Sequence, residues 1–201
     1  MNHIYNQGKK GACVAMAISN GIEEQLGIVV PEEEIYAYFK EHFCDNIDGV
    51  RVPVMLQRMK VEPLYGVKVK DYKMLYNSRW RTNPKKKLFM AKVRQALFSK
   101  TGALVMVMKI RSKKKGEKKI PLSKEGFLVP RTTRAISHHA MLIVRLAKNH
   151  MFSLRQFFVI ENSWGKDWAK SGCFYMKAEA IHSEAQSIYH VTFEHATDSA
   201  N

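Results

Sequence analysis

Cysteine, acidic residues and long apolar runs are all scarce in this sequence, and each scarcity excludes something. There are three cysteines, Cys13, Cys44 and Cys173, in 201 residues. An odd, widely spaced set does not read as a disulfide framework and leaves at least one thiol unpaired. No apolar run approaches the length of about eighteen residues that a membrane-spanning helix needs. The opening "MNHIYNQGKK" lacks the apolar stretch of a secretory signal. No histidines and cysteines stand at metal-ligand spacing: His138 and His139 are adjacent, and His182 and His190 read as ordinary surface positions. The sequence therefore predicts neither a metal centre nor a cofactor.

Acids are outnumbered, 18 Asp and Glu against 33 Lys and Arg, for a formal net charge of +15. The imbalance is local. From Arg79 to Lys119 there are fifteen bases and one acid, Glu117, whereas from Glu23 to Asp48 there are eight acids and one lysine, Lys40. Such polarity favours acidic partners, which include nucleic acid, anionic membrane and acidic protein; a solvated basic loop is the plainer alternative. No aromatics interleave with the Lys-rich segment 113–119, which argues against stacking on single-stranded nucleic acid.

What is present is enough for a core: 46% of the residues are hydrophobic. The first half reads helical. "GACVAMAISNGIEEQLG" places Ala15, Ile18 and Ile22 at helical spacing, with Gly27 as a C-terminal cap. "VVPEEEIYAYFKEHF" opens on a proline and three glutamates, as the positive end of a helix prefers. "VPVMLQRMK" and "KLFMAKVRQALFSK" read as a third and a fourth helix. After Gly102 the pattern changes. "ALVMVMKI", "HAMLIVRL", "QFFVIENSW", "CFYMKAEAI" and "SIYHVTFE" are short, rich in β-branched or aromatic residues, and read as strands. Helices followed by strands predict an α+β protein, a helical lobe against a small antiparallel sheet or barrel.

Chemistry enters at "NQGKKGACVAMAIS", where Cys13 sits at the mouth of the first helix behind two lysines. A cysteine among apolar residues is ordinarily a small buried hydrophobe. A nucleophilic cysteine needs a lowered pKa, a base within reach and donors for an oxyanion. A helix start supplies the first. "ISHHAMLIVRL" offers His138 and His139 as bases, "VIENSWGKDW" offers Asn162 to orient an imidazole, and Gln7 carries a side-chain amide close before Cys13. Taken singly each has a plain structural explanation; together they favour a cysteine activated toward its thiolate.

The set "QGKKGAC", "HHAMLIV" and "VIENSWGKDWAKSGCFYMK" resembles the papain family of cysteine proteases, with the histidine and the asparagine far downstream of the cysteine. "VRQALFSKTGALVMVMKI" resembles the helix and strand that open the family's barrel-like lobe, so the resemblance spans nearly the whole chain. It implies a papain-like two-lobe fold: a helical lobe over residues 1–86 whose central helix bears the cysteine, and an antiparallel, β-barrel-like lobe over residues 87–201 bearing His and Asn. It implies Cys13 as nucleophile, His139 as general base, Asn162 as the group that orients the imidazole, and Trp164 as the shield of that hydrogen bond. Gln7 and the Cys13 N–H would form the oxyanion hole, while His138, Ala140 and Gly49 would stand beside the substrate.

The sequence also departs from the family. Lys10 stands where the family has a cysteine, Val14 where it has a tryptophan, and "IDGVR" near Gly49 is a reduced form of its cleft glycines. "RLAKNH" replaces its Gly-rich turn, and the chain begins six residues before Gln7, with neither an inhibitory pro-segment nor the usual N-terminal arm. Family members work in vacuoles, lysosomes or outside cells; without a signal, this chain points to the cytosol, a processed form or an incomplete product. Three functions compete: an endopeptidase acting on protein or peptide substrates through a thioester on Cys13, a papain-fold protein without activity, and a basic binding module that takes acidic partners through segment 113–119.

Overall fold

The computed structural model describes residues 3–8, 11–43, 50–79, 83–111, 120–130, 135–148 and 156–196. Helix α1, Cys13–Leu26, ends where the sequence predicts: Gly27 adopts φ 72° and its N–H closes on the Glu23 carbonyl at 2.8 Å. That left-handed step is one that glycine takes without a Cβ penalty. Helix α2, Glu32–Phe43, carries Glu32, Glu33 and Glu34 in its first turn, against the positive end of its dipole. Helix α3, Val52–Arg58, opens with Pro53, whose missing N–H is no loss in a first turn. These three helices enclose one core cluster, with Met16, Ile18, Ile35, Phe39 and Leu56 fully buried.

The sheet has six strands: β1 Val67–Asn77, β2 Ala103–Arg111, β3 Ala135–Lys148, β4 Gln156–Glu161, β5 Cys173–Lys177 and β6 Ala185–His195. Their order is β1-β6-β2-β3-β4-β5 and all pairings are antiparallel. Strand β2 shows why this sheet is covered on both faces. Ala103 and Val105 join the cluster under α1 to α3, while Leu104, Met106, Met108 and Ile110 join a second cluster. Side chains alternate along a strand, so a continuous apolar run is what two-sided burial demands. Helix α4, Asn83–Ser99, covers the second face with Phe89 and Val93, both buried, and leaves Leu88 and Phe98 exposed.

Three expectations are corrected. Residues 67–77, within the stretch read as helical, form strand β1 and pair with β6 across Val67↔His195 to Asn77↔Ser187. Their polar alternation of Lys68, Lys70 and Lys73 hid an edge strand, which pairs on one side only. "CFYMKAEAI" is a strand only to Lys177; Ala178–Ala180 is a 3₁₀ turn leading into helix α5, Ile181–Glu184. The sheet is also not closed into a barrel, since β1 and β5 are its two edges.

The N-terminal segment ties the parts together. The Gln7 N–H donates to the Ser163 carbonyl and the Gly165 N–H to the Tyr5 carbonyl, both at 2.9 Å, and the Tyr5 hydroxyl donates to the Val30 carbonyl at 2.6 Å. The Gln25 side chain on α1 makes a second tie, accepting from the Phe193 N–H and donating to the Phe193 carbonyl.

Candidate active site

Cys13 is the first residue of α1 and Ala140 lies on β3, yet the two meet: the Ala140 backbone N–H approaches the Cys13 sulfur. The β2–β3 register that pairs Met108 with His139 and Val107 with Ala140 fixes this stretch of β3. Cys13, His138, His139 and Ala140 all line one cavity of about 550 Å³ between the helices and the sheet. Four of the residues singled out from sequence are thus gathered at one place, Cys13 with a run of three that begins 125 positions further along.

His139 is 6% exposed and Asn162 fully buried. Their side chains form a 2.6 Å hydrogen bond, His139 Nε2 to Asn162 Oδ1. The same Oδ1 also accepts from the Ser163 N–H at 2.9 Å, which marks it as the amide oxygen. An oxygen acceptor requires the proton on Nε2, so the neutral imidazole keeps its lone pair on Nδ1. Trp164 lies over the His139 ring with centroids 5.0 Å apart, and Trp168 meets Trp164 edge-on at 5.1 Å. The indole thereby covers one face of the buried His139 ring.

Gln7 is 9% exposed, and its Oε1 accepts a 2.5 Å hydrogen bond from the Ser163 hydroxyl. Pinning the oxygen settles which way the amide faces and turns its NH₂ away from Ser163. Ser163 was not singled out from sequence; a serine directly after the asparagine was the only trace of it. The loop that carries Asn162 to Gly172 closes on itself through Trp168 N–H to Gly165 carbonyl and Gly172 N–H to Trp168 carbonyl bonds. Gly172 has φ 78°, and a Cβ there would lie 2.5 Å from the Ile4 side chain, so only glycine lets the N-terminal segment dock.

The electrostatics of the folded site run against the expectation of a thiolate. Burial pushes the Cys13 thiol up, opposed by the N–H groups of Ala140, Val14 and Cys13 itself. Burial also lowers His139 to about 4, with the Asn162 hydrogen bond working the other way. Both shifts favour a neutral thiol beside a neutral imidazole at rest. Next to Asn162, the Glu161 carboxyl is 3% exposed and is pushed up to about 8 by burial, then by the charges of Glu23 and Glu24. It is a protonated acid at neutral pH.

Other sequence expectations fall elsewhere. Gly49, Lys9, Lys10, Cys44 and segment 113–119 lie outside the described residues. His182 and His190 are not plain surface residues: His182 packs edge-on against Phe89 and Tyr76, and burial lowers His190. Cys173 is free and lies on β5 beside Glu161. Among the described residues no group of three His, Cys, Asp or Glu gathers as a metal site, and no helix is long and apolar enough to cross a membrane. Arg51, from the "IDGVR" run, Arg79, the first base of the basic stretch, and Asn77 and Gln186 line the cavity as well, and none of the four had been singled out as a site residue.

A helical lobe set on an antiparallel sheet, with the cavity between them, is the arrangement of the papain-like fold. Residues 106–191 match the family model described as papain family cysteine protease. The fold is similar to that of the bromelain protease from Ananas comosus in complex with the E64 inhibitor, at TM-score 0.62 and 15% identity, covering 95% of this chain and 93% of that one. It is also similar to the Amb a 11 cysteine protease, a major ragweed pollen allergen, in its proform, at TM-score 0.65 and 13% identity over 96% of this chain and 62% of that one. Digestive procathepsin L 3 of Tenebrio molitor larval midgut matches at TM-score 0.63 and 13% identity over 95% and 67%. No curated protein matches by sequence. Over residues 106–191 the chain is thus similar to the papain family, and over nearly its whole length it has the papain-like fold.

Proposed function

We propose that the chain is a cysteine endopeptidase that cleaves peptide bonds through a thioester on Cys13. His139 Nδ1 takes the thiol proton as Sγ attacks the substrate carbonyl, then returns it to the leaving amine. The Gln7 amide and the Cys13 N–H, the latter at the first turn of α1, donate to the oxyanion as it forms. Water, deprotonated by the same imidazole, then releases the acyl group. Asn162 holds the imidazole in the required tautomer and Trp164 keeps that hydrogen bond dry.

The observation that carries this reading is the His139 Nε2–Asn162 Oδ1 hydrogen bond, because it leaves Nδ1 as the basic nitrogen in a residue that shares its cavity with Cys13. His138, Ala140 and Gly49 stand in this reading as substrate-side residues. The neutral resting pair makes the mechanism one of general-base catalysis, with proton transfer coupled to attack.

The test is labelling with an epoxide inhibitor of the E64 class, the ligand held by bromelain in its structure. Intact-mass analysis should show one adduct on the wild type, none on Cys13→Ala, and labelling on His139→Ala slowed by at least about 100-fold. A folded wild type that takes no adduct at any pH from 5 to 8 would remove the peptidase reading and leave a papain-fold protein without activity.

A further inference from the structure

The cavity that holds Cys13 has a charge pattern of its own. Among the described residues that line it none is acidic, whereas Arg51, just before α3, and Arg79, just past β1, both line it. Among the described residues neither arginine forms an ion pair with a carboxylate. The turn that carries Arg79 is held in place. The Arg79 N–H donates to Asn77 Oδ1 at 2.9 Å, the Ser78 N–H to the Gln186 carbonyl at 2.9 Å, and the Ser78 hydroxyl to Gln186 Oε1 at 3.1 Å. His138 adds a further ring N–H donor on the same wall.

Guanidinium groups stay charged at any working pH and grip carboxylates in a two-pronged fashion. Two of them without acidic partners among the described residues, in a cavity also lined by Val107 and Val14, form a receptor for a short apolar stem ending in a carboxylate. We infer that this cleft selects peptide substrates with aspartate or glutamate within two residues of the bond that is cut. The inference rests on Cys13 and His139 as the reacting pair only for where the cut falls; recognition of the acidic side chain belongs to the cavity itself. Because both arginines are exposed, salt screens the attraction, and the preference is strongest at low ionic strength.

The experiment has two arms, both on the full chain. In the first, fluorogenic peptides are matched in pairs, Glu against Gln and Asp against Asn, at each position within two residues of the cut. The expected kcat/KM ratio is about tenfold in favour of the acid at the best position at low salt. It falls toward one in the Arg51→Gln/Arg79→Gln double variant and in high salt. Equal rates for acid and amide at every position overturn the inference.

The second arm titrates Cys13→Ala with the same peptides and follows the binding by NMR. Tighter binding of the acidic member, lost in the double arginine variant, supports the inference even if no peptide is ever cut, in which case only the peptidase reading fails. Binding no tighter for the acid than for the amide overturns it even if the enzyme is active.

Discussion

The Ser163 hydroxyl donates to Gln7 Oε1 at 2.5 Å, joining residues 156 positions apart and fixing the orientation of a buried amide. Ser163 reaches any oxyanion only through Gln7, so it is a positioning residue. Gln7→Ala should lower kcat by about 100-fold or more, as loss of one oxyanion donor does. Ser163→Ala should lower kcat by about tenfold with KM little changed, because the amide is free to rotate. The double variant should be no worse than Gln7→Ala alone. Additive losses in steady-state kinetics would mean that Ser163 acts by some route other than Gln7.

Cys13 is raised by burial, and its alkylation should reflect that. The rate of modification by iodoacetamide is expected to climb steadily from pH 5 to pH 9, with no plateau in the acid range. Stopped mass-spectrometric time courses measure this directly. A rate already flat by pH 5 would show a resting thiolate–imidazolium pair instead of the neutral pair.

Two buried groups give stability opposing slopes with pH. Folding lowers His139 to about 4 from its ordinary 6.5, so the unfolded chain binds the extra proton between those values, and stability rises with pH there. Folding raises Glu161 to about 8 from 4.5, so the folded chain binds the extra proton, and that contribution is lost as pH rises through 8. The slopes cancel from about 4.5 to 6.5, and stability then declines by about 1.4 kcal/mol per pH unit toward pH 8. In Glu161→Gln the decline should vanish and the rise between pH 4 and 6.5 should emerge. Urea unfolding across this range checks both; a variant with the wild-type profile would exclude Glu161 as its source.

How much of this was legible in the sequence depended on whether a residue's role is local. The start of α1 at Cys13, the Gly27 cap and the acidic first turn of α2 follow from short-range chemistry and were readable. So was the set Cys13, His139 and Asn162, because each sits in a recognisable run. Strand β1 was not, since an edge strand with lysines on its open side lacks the apolar signal of its neighbours. Ser163 escaped because its partner is fixed only by tertiary pairing of the N-terminal segment with the loop after β4. The Cys13 thiolate expected from a helix start is opposed by burial, a tertiary effect that a short run of sequence does not carry. Arg51 and Arg79 belong to different elements, and only the fold brings both to one cavity.

Residues Tyr5 to Gln7 bond to the Ser163–Gly165 turn on one side and to Val30 on the other. The proposed oxyanion donor and the strap that joins helices to sheet are therefore one short piece of chain. Whatever loosens that piece loosens the oxyanion donor and the strap together, and leaves Cys13 and His139 without their third party.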